Sequence, residues 1–246
     1  MHRTGSGYRP RESVCRGLSW AVSRLIGVAT VILVRHGRTS ANAAGVLAGR
    51  AAGVRLDAIG HEQAARTAER LALIPLARLV SSPMERARQT ARIIAAKREV
   101  AIATLIDKGI TECDYGDWQG RPLRELATEK LWSVVQSQPS AAEFPGGESL
   151  AAMQARSVAA VRRRDAAIEK SHGADAIWVA VSHADIIKSI LADALGMHLD
   201  LFQRIAVGPA SVSIVRYSEN RPEVLATNTE SGDLSWLAAA THPSQS

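Results

Sequence analysis

The 246-residue sequence has few cysteines and few aromatic residues. Its two cysteines, Cys15 and Cys113, form no CxxC pair and have no metal-type spacing. We therefore expect no disulfide framework, and this usage is typical of a reducing compartment such as the cytoplasm. Aromatic residues make up only 4% of the chain, so the core must consist mainly of Ala, Val, Leu and Ile.

The chain also has no apolar run long enough for a membrane span. The most apolar candidate, residues 177–195, is interrupted by His183, Asp185 and Lys188. A bilayer requires about 20 consecutive apolar residues, so we predict no membrane partner. Residues 18–28 are weakly apolar but contain Arg24 and lead directly into the first predicted strand, so they do not resemble a cleaved signal peptide.

Motifs for several classes of phosphate enzyme and metalloenzyme are absent from the sequence. There is no P-loop, no Cys-x5-Arg loop, and no group of His or carboxylate residues with the spacing of metal ligands. We therefore expect neither a metal ion nor another cofactor.

The net charge of +6 is concentrated at the start of the chain. Five arginines and one glutamate give residues 1–27 a charge of +4, which leaves +2 for the rest. No nucleic-acid motif or aromatic-rich basic surface accompanies this charge, so we predict no nucleic-acid partner. We predict a disordered basic extension over residues 1–27, one domain over 28–230, and a loose tail over 231–246.

The most informative segment begins with the apolar residues 31–34, which predict a buried strand. Arg35 and His36 follow this strand directly, and Gly37 lets the backbone approach a ligand closely. Open α/β folds bind ligands at the carboxyl ends of their strands. The pattern therefore predicts a cation and an imidazole at a binding edge, although an ordinary strand exit with a surface arginine fits it equally well.

Two further strand exits carry polar residues of the same kind. Ser82 and Glu85 predict a capping box that places Arg86 in the first turn of a helix. Ser182 and Asp185 predict another capping box, which places His183 between a strand and a helix N-terminus. Each arginine or histidine alone fits an ordinary surface or structural role.

A loop rich in acids and aromatic residues, 111–120, supplies Glu112. A carboxyl held near apolar rings has a raised pKa and can act as a general acid. Two guanidiniums can bind a phosphate dianion, and a histidine beside them can attack phosphorus and become phosphohistidine. The combination predicts phosphoryl transfer, with arginines supplying the charge neutralisation that such reactions need.

These motifs together resemble the histidine phosphatase superfamily, which includes cofactor-dependent phosphoglycerate mutase. The resemblance covers about residues 30–228 and lies in an ordered set of segments: 35–39 with Asn42, 56–64, 81–91, 112–120, 145–149 and 181–183. It implies an α/β fold, a three-layer α/β/α sandwich with a mostly parallel central sheet.

The same resemblance implies roles for individual residues. His36 would be the nucleophile and Glu112 the proton donor. The implied phosphate- and substrate-binding residues are Arg35, Arg38, Thr39, Asn42, Arg86, His183 and Ala184. Ala184 departs from the family pattern, which usually has glycine there, and restricts backbone approach slightly without removing a catalytic side chain.

Three functions remain open from the sequence. We expect a phosphomonoester hydrolase with a small phosphorylated substrate. A mutase is the first alternative, but mutases of this family carry a longer insertion than the interval between Cys113 and Pro145. A catalytically silent phosphate-binding protein is the second. The sequence identifies no particular substrate, and it leaves a homodimer open.

Overall fold

The computed structural model describes residues 29–217 and 221–230. Its strands form one sheet in the order β3-β2-β4-β1-β5-β6. Strands β1 to β4 run parallel to one another. β5 pairs antiparallel with β1, and β6 pairs antiparallel with β5. The strands are β1 (Thr30–Arg35), β2 (Leu76–Ser81), β3 (Thr104–Ile106), β4 (Ile177–Ser182), β5 (Val212–Tyr217) and β6 (Pro222–Thr229).

Helices cover both faces of this sheet. They are α1 (Ser40–Ala43), α2 (Ala58–Leu71), α3 (Glu85–Ala96), α4 (Leu123–Leu126), α5 (Lys130–Ser137), α6 (Leu150–His172) and α7 (Ala184–Ala194). Short 3₁₀ helices lie at Lys108–Ile110, Gly116–Trp118, Pro139–Ala141 and Leu199–Arg204. No helix in the described part of the chain is long and apolar enough to cross a membrane.

Side chains along the central strands alternate between the two faces of the sheet, and this alternation divides the hydrophobic core into two layers. Val31 and Leu33 of β1 pack with α6 and α7, whereas Ile32 and Val34 pack with α2 and α3. Successive strand residues point to opposite faces, so a strand buried on both sides reads as a continuous apolar run. The predicted three-layer α/β/α fold is therefore confirmed.

Both predicted capping boxes were wrong. Helix α3 begins after Met84, whose side chain forms no cap, and helix α7 begins after His183. The Ser82 hydroxyl lies 2.7 Å from Nε2 of His183, and the Ser182 hydroxyl donates to the carbonyl of Ile110. Both hydroxyls are buried at the sheet edge and bond to tertiary partners, while the Ser82 hydroxyl also accepts the backbone N–H of Met84 at 3.3 Å.

Gly37 is tightly packed, but its neighbour is protein backbone. A Cβ at Gly37 would collide with the carbonyl of Gly60 in α2, and one at Gly60 would collide with the backbone of Arg38. The two glycines therefore allow α2 to pack directly against the loop after β1. The predicted extension over 1–27 and tail over 231–246 lie outside the described residues.

Candidate active site

His36 lies directly after β1 and is 3% exposed. Its Nδ1 is 2.8 Å from the carbonyl of Gly37, and Nε of Arg86 donates to its Nε2 at 3.1 Å. A carbonyl only accepts and a guanidinium only donates, so the hydrogen lies on Nδ1 and the lone pair on Nε2. Burial, followed by the charges of Arg86 and Arg35, holds the pKa of His36 well below 6.5. His36 is therefore neutral near pH 7, and Nε2 carries its lone pair.

Two guanidiniums lie near this nitrogen, that of the buried Arg86 and that of the half-buried Arg35. Arg86 is 2% exposed and donates through Nη2 to the carbonyl of Gly49 at 2.8 Å, whereas its Nη1 has no partner among the described residues. Arg35 donates to the carbonyl of Val207, and its buried Nε likewise lacks a described partner. Buried donors without partners are costly, which makes these atoms candidates for binding an anion.

His183 lies opposite His36, with 5.2 Å between the ring centroids. Its Nε2 is fixed by Ser82, and its Nδ1 has no hydrogen-bond partner in the described part of the chain. Burial is also the main reason why the pKa of His183 lies well below 6.5. The ring is therefore neutral, and Nδ1 is a third buried polar atom at this edge.

Glu112 is 8% exposed and completes the cluster. Its Oε1 accepts from the backbone N–H of Cys113 at 3.0 Å, while Oε2 lies 3.6 Å from Arg86 Nη2 and 3.5 Å from His183 Nδ1. Burial raises the pKa of Glu112 to about 7 and outweighs the opposing charge of Arg86. A carboxyl that titrates near neutral pH is suited to both proton donation and proton acceptance.

The structure therefore brings together five predicted catalytic residues from four segments of the chain: Arg35, His36, Arg86, Glu112 and His183. β1, α3 and α7 deliver four of them at the carboxyl edge of the sheet, and the loop after the first 3₁₀ helix delivers Glu112. Such a cluster can bind a phosphoryl group and transfer it to an imidazole.

Three predicted binding residues have structural partners beside this cluster. Arg38 forms an ion pair with Asp57 at 2.8 Å and turns its side chain toward α2. Thr39 caps α1, and its hydroxyl also bonds the Asn42 side chain. Ala184 is the first residue of α7, where a backbone N–H has no partner within the helix. A direct substrate contact for any of the four stays a prediction.

Sequence reasoning missed two arginines that hold the Glu112 loop. Nε of Arg50 and Nη2 of Arg156 both donate to the carbonyl of Glu112, at 2.9 and 3.1 Å. Both guanidiniums also bind Glu148, which accepts the backbone N–H of Asp114. Glu148 lies in the turn 145–149, one of the segments that carry the family resemblance. Arg50 lies in a loop and Arg156 in the middle of α6, where no local sequence pattern marks either of them.

A metal site is not evident in residues 29–217 and 221–230. No three His, Cys, Asp or Glu side chains there form a group that could hold a metal ion.

Comparison with known proteins places this geometry in a family. The model of the histidine phosphatase superfamily (branch 1) matches residues 31–230. Phosphoglycerate mutase-like protein 4 of Arabidopsis thaliana is 34% identical over 169 residues, covering 67% of this chain and 70% of that protein. A probable phosphoglycerate mutase GpmB of Proteus mirabilis is 32% identical over 195 residues, covering 78% and 86%.

Solved structures show the same fold. YhfR of Bacillus stearothermophilus superimposes with a TM-score of 0.74 at 25% identity, covering 82% of this chain and 98% of that one. A putative α-ribazole-5'-P phosphatase of Escherichia coli gives 0.70 at 25% identity, covering 82% and 97%. The chain therefore belongs to the histidine phosphatase superfamily, branch 1.

Proposed function

We propose that this chain is a phosphomonoester hydrolase that works through a phosphohistidine on His36. The observation that carries the proposal is the pairing of a neutral, buried His36, whose Nε2 lone pair faces Arg86, with a Glu112 carboxyl of pKa about 7. The first supplies a nucleophile and the second a proton, and both lie in one cluster with His183.

Substrate binding would use the buried donors that lack protein partners. Arg35 Nε, Arg86 Nη1 and His183 Nδ1 all lie at the sheet edge among the described residues without such a partner. A phosphate group accepts several charge-assisted hydrogen bonds at once, and guanidiniums match its geometry. These donors neutralise charge on the phosphoryl oxygens as it is transferred.

In the first step, His36 Nε2 attacks phosphorus and forms an N–P bond as the P–O ester bond breaks. The leaving oxygen takes the Glu112 proton and departs as an alcohol. In the second step, Glu112 accepts a proton from water, whose oxygen attacks phosphorus. The N–P bond breaks, its electron pair returns to Nε2, and inorganic phosphate is released. Glu112 thus serves as acid and then as base.

A phosphomutase is the second candidate, and the names of the curated relatives favour it. A mutase would return the phosphoryl group to the substrate instead of passing it to water. Hydrolysis is supported by the short interval from Cys113 to Pro145, which holds the small helices α4 and α5 and two short 3₁₀ helices. The family resemblance leads us to expect a longer insertion in a mutase.

The test is a panel of phosphate esters assayed in ¹⁸O-labelled water, with a chelator in one arm. We expect release of phosphate that contains ¹⁸O, at a rate that the chelator does not change, and no release by His36→Ala. Transfer of the phosphoryl group to a second hydroxyl of the substrate, without release, would support the mutase. A chain that binds the esters but turns over none would be a silent phosphate-binding protein.

A further inference from the structure

Asp185 lies in the first turn of α7, two residues after His183, and the reaction proposed above does not use it. Its Oδ2 accepts a hydrogen bond from the Tyr115 hydroxyl at 2.7 Å. Tyr115 lies three residues after Glu112 in the loop 111–120, which we call the acid loop. The bond therefore joins the helix that follows His183 to the loop that carries Glu112.

The tyrosine end of this hydrogen bond is part of the core. Tyr115 is 5% exposed, and its ring packs edge-on against Phe144 with 5.0 Å between the ring centroids. A buried tyrosine hydroxyl needs a hydrogen-bond partner, and Asp185 supplies it. Among the described residues, no other hydrogen bond joins the acid loop to α7. The position of the loop relative to this helix therefore depends on Asp185.

The Asp185 carboxylate is held from its other side as well. Lys188 lies one turn further along α7, with its Nζ 3.6 Å from Oδ1 of Asp185. The same ammonium donates to Oε1 of Gln203 at 3.0 Å and lies 5.6 Å from the centre of the Phe202 ring. A side chain that is fixed by packing and by further hydrogen bonds can position its partner closely.

The negative charge of Asp185 also acts on Glu112. Burial is the main reason why the pKa of Glu112 is raised to about 7, and Asp185 raises it further, against the charge of Arg86. The charged and titratable groups that face Glu112 from the surrounding elements are Arg35, Arg50, Arg86, Arg156, His183 and Asp185. The four guanidiniums in this set favour the carboxylate form, whereas Asp185 favours the protonated form.

We propose that Asp185 is a positioning residue for the general acid and acts through Tyr115. It holds the acid loop against α7, so that the Glu112 carboxyl stays beside His183, where Oε2 lies 3.5 Å from Nδ1. Its negative charge helps Glu112 to keep its proton until the leaving oxygen takes it. The inference rests on the proposed phosphatase function and deepens it.

Two substitutions separate the hydrogen bond from the charge. Tyr115→Phe removes the bond and keeps the ring and the Asp185 charge. Asp185→Asn removes the charge and keeps an oxygen that accepts from the Tyr115 hydroxyl. The control for the first is Tyr217→Phe, at the end of β5 that lies beside the start of β1, away from the site. The control for the second is Asp193→Asn, near the other end of α7, where the carboxylate pairs with Arg162.

Tyr115→Phe is tested by kcat/KM, which reports the steps up to formation of phosphohistidine. We expect a loss of about tenfold on alkyl phosphates, because the acid is less well placed, and a far smaller loss on aryl phosphates. Tyr217→Phe should match wild type on both. A merely structural role of the bond would lower both classes of ester alike, and that result would overturn the inference.

Asp185→Asn is tested by the pH dependence of kcat/KM for alkyl phosphates. Loss of a nearby negative charge stabilises ionised Glu112 and lowers its pKa, so the decline through about pH 7 should move to lower pH. We expect a displacement of about half a pH unit. Asp193→Asn should leave the decline in place, because that carboxylate lies about 12 Å further along the helix and is screened by salt. An unchanged profile in Asp185→Asn would overturn the inference.

A titration without turnover separates the inference from the proposed function. The Glu112 carboxyl is followed by NMR in the full chain labelled with ¹³C-glutamate, and its signal is identified by its absence from Glu112→Gln. We expect a lower midpoint in Asp185→Asn, and faster hydrogen exchange of the acid-loop amides in Tyr115→Phe. Both changes in a chain that hydrolyses no ester would contradict the phosphatase and support the role of Asp185. Neither change in an active phosphatase would overturn the inference alone.

Discussion

Burial shifts the pKa of the three titrating residues at the site in opposite directions. It lowers the pKa of His36 and His183, whose charged form is the protonated one, and raises that of Glu112, whose charged form is the deprotonated one. Both imidazoles are therefore neutral near pH 7, and Glu112 takes up its proton as the pH falls through about 7. In the proposed mechanism, one physical cause provides both the free nucleophile and the proton donor.

This state leads to a pH prediction. The acid role of Glu112 requires its proton, so kcat/KM for alkyl phosphates should fall as pH rises through about 7. On the acid side, His36 stays neutral until its lowered pKa is reached, so activity should persist well below pH 6.5. In Glu112→Gln the decline through pH 7 should vanish, which pH profiles of the two proteins will test.

The leaving group provides a second test of Glu112. A general acid contributes about 10²–10⁴-fold, and most when the leaving oxygen is a poor one. Glu112→Gln should therefore lose far more activity on alkyl than on aryl phosphates, and should accumulate phosphohistidine after a burst. Asp114→Asn is the control, because that carboxylate binds Arg50 instead of facing the site. If Asp114→Asn shows the leaving-group dependence instead, the acid is misassigned.

The position of most candidate-site residues could be predicted from the sequence, because each follows a strand or opens a helix in a recognisable local pattern. Arg35, His36, Arg86 and His183 are of this kind. Arg50 and Arg156 could not be predicted, since their function is to meet at the carbonyl of Glu112 from positions 62 and 44 residues away. Only the folded chain brings them together.

At the scale of elements, the packing of α2 against the loop after β1 depends on two glycines. Gly60→Ala adds a methyl group in a helix, where propensity alone favours alanine by about 1 kcal/mol. The new Cβ would collide with the backbone of Arg38, and overpacking against a rigid neighbour costs roughly 1–3 kcal/mol or more. We expect a net loss of stability in denaturant unfolding. Glu62→Ala, exposed on the same helix, is the control, and equal stability of both variants would contradict this packing.

The residues that cap the helices were harder to predict than the presence of the helices. The patterns Ser82 to Glu85 and Ser182 to Asp185 satisfy the local rule for a capping box, yet both serines bond to distant partners. Ser149, in contrast, caps α6, because its side chain accepts the backbone N–H of Ala152. Local rules failed where the helix N-terminus forms part of the candidate site.

At the scale of the molecule, the order of the central strands follows from their apolar character. β4 and β1 are buried on both faces, and they occupy the middle of the sheet between β2 and β5. β5 runs antiparallel to β1 and β6 runs antiparallel to β5, so β5 is the strand that opposes the others in the described sheet. The direction of β5 could not be predicted from its apolar pattern, since either direction buries the same side chains.

The domain bounds of 28–230 remain a prediction that deletion can test. Ala29 is fully buried, and the backbone N–H of Thr30 bonds the carbonyl of Ala176, so the chain is anchored from this point onward. Removal of residues 1–27 should leave the melting temperature and kcat/KM unchanged. A second deletion that also removes residues 28–34, and with them most of β1, should abolish folding. Insolubility or inactivity of the first deletion would show that the extension belongs to the fold.

Isolation of the covalent intermediate is the most direct test of whether His36 is the nucleophile. Wild type and Glu112→Gln are mixed with ³²P-labelled ester, quenched rapidly, digested and mapped by mass spectrometry. We expect an acid-labile, alkali-stable phosphoryl group on Nε2 of His36, more abundant in Glu112→Gln and absent from His36→Ala. Label on a serine, an aspartate or His183, or turnover by His36→Ala at the wild-type rate, would contradict it.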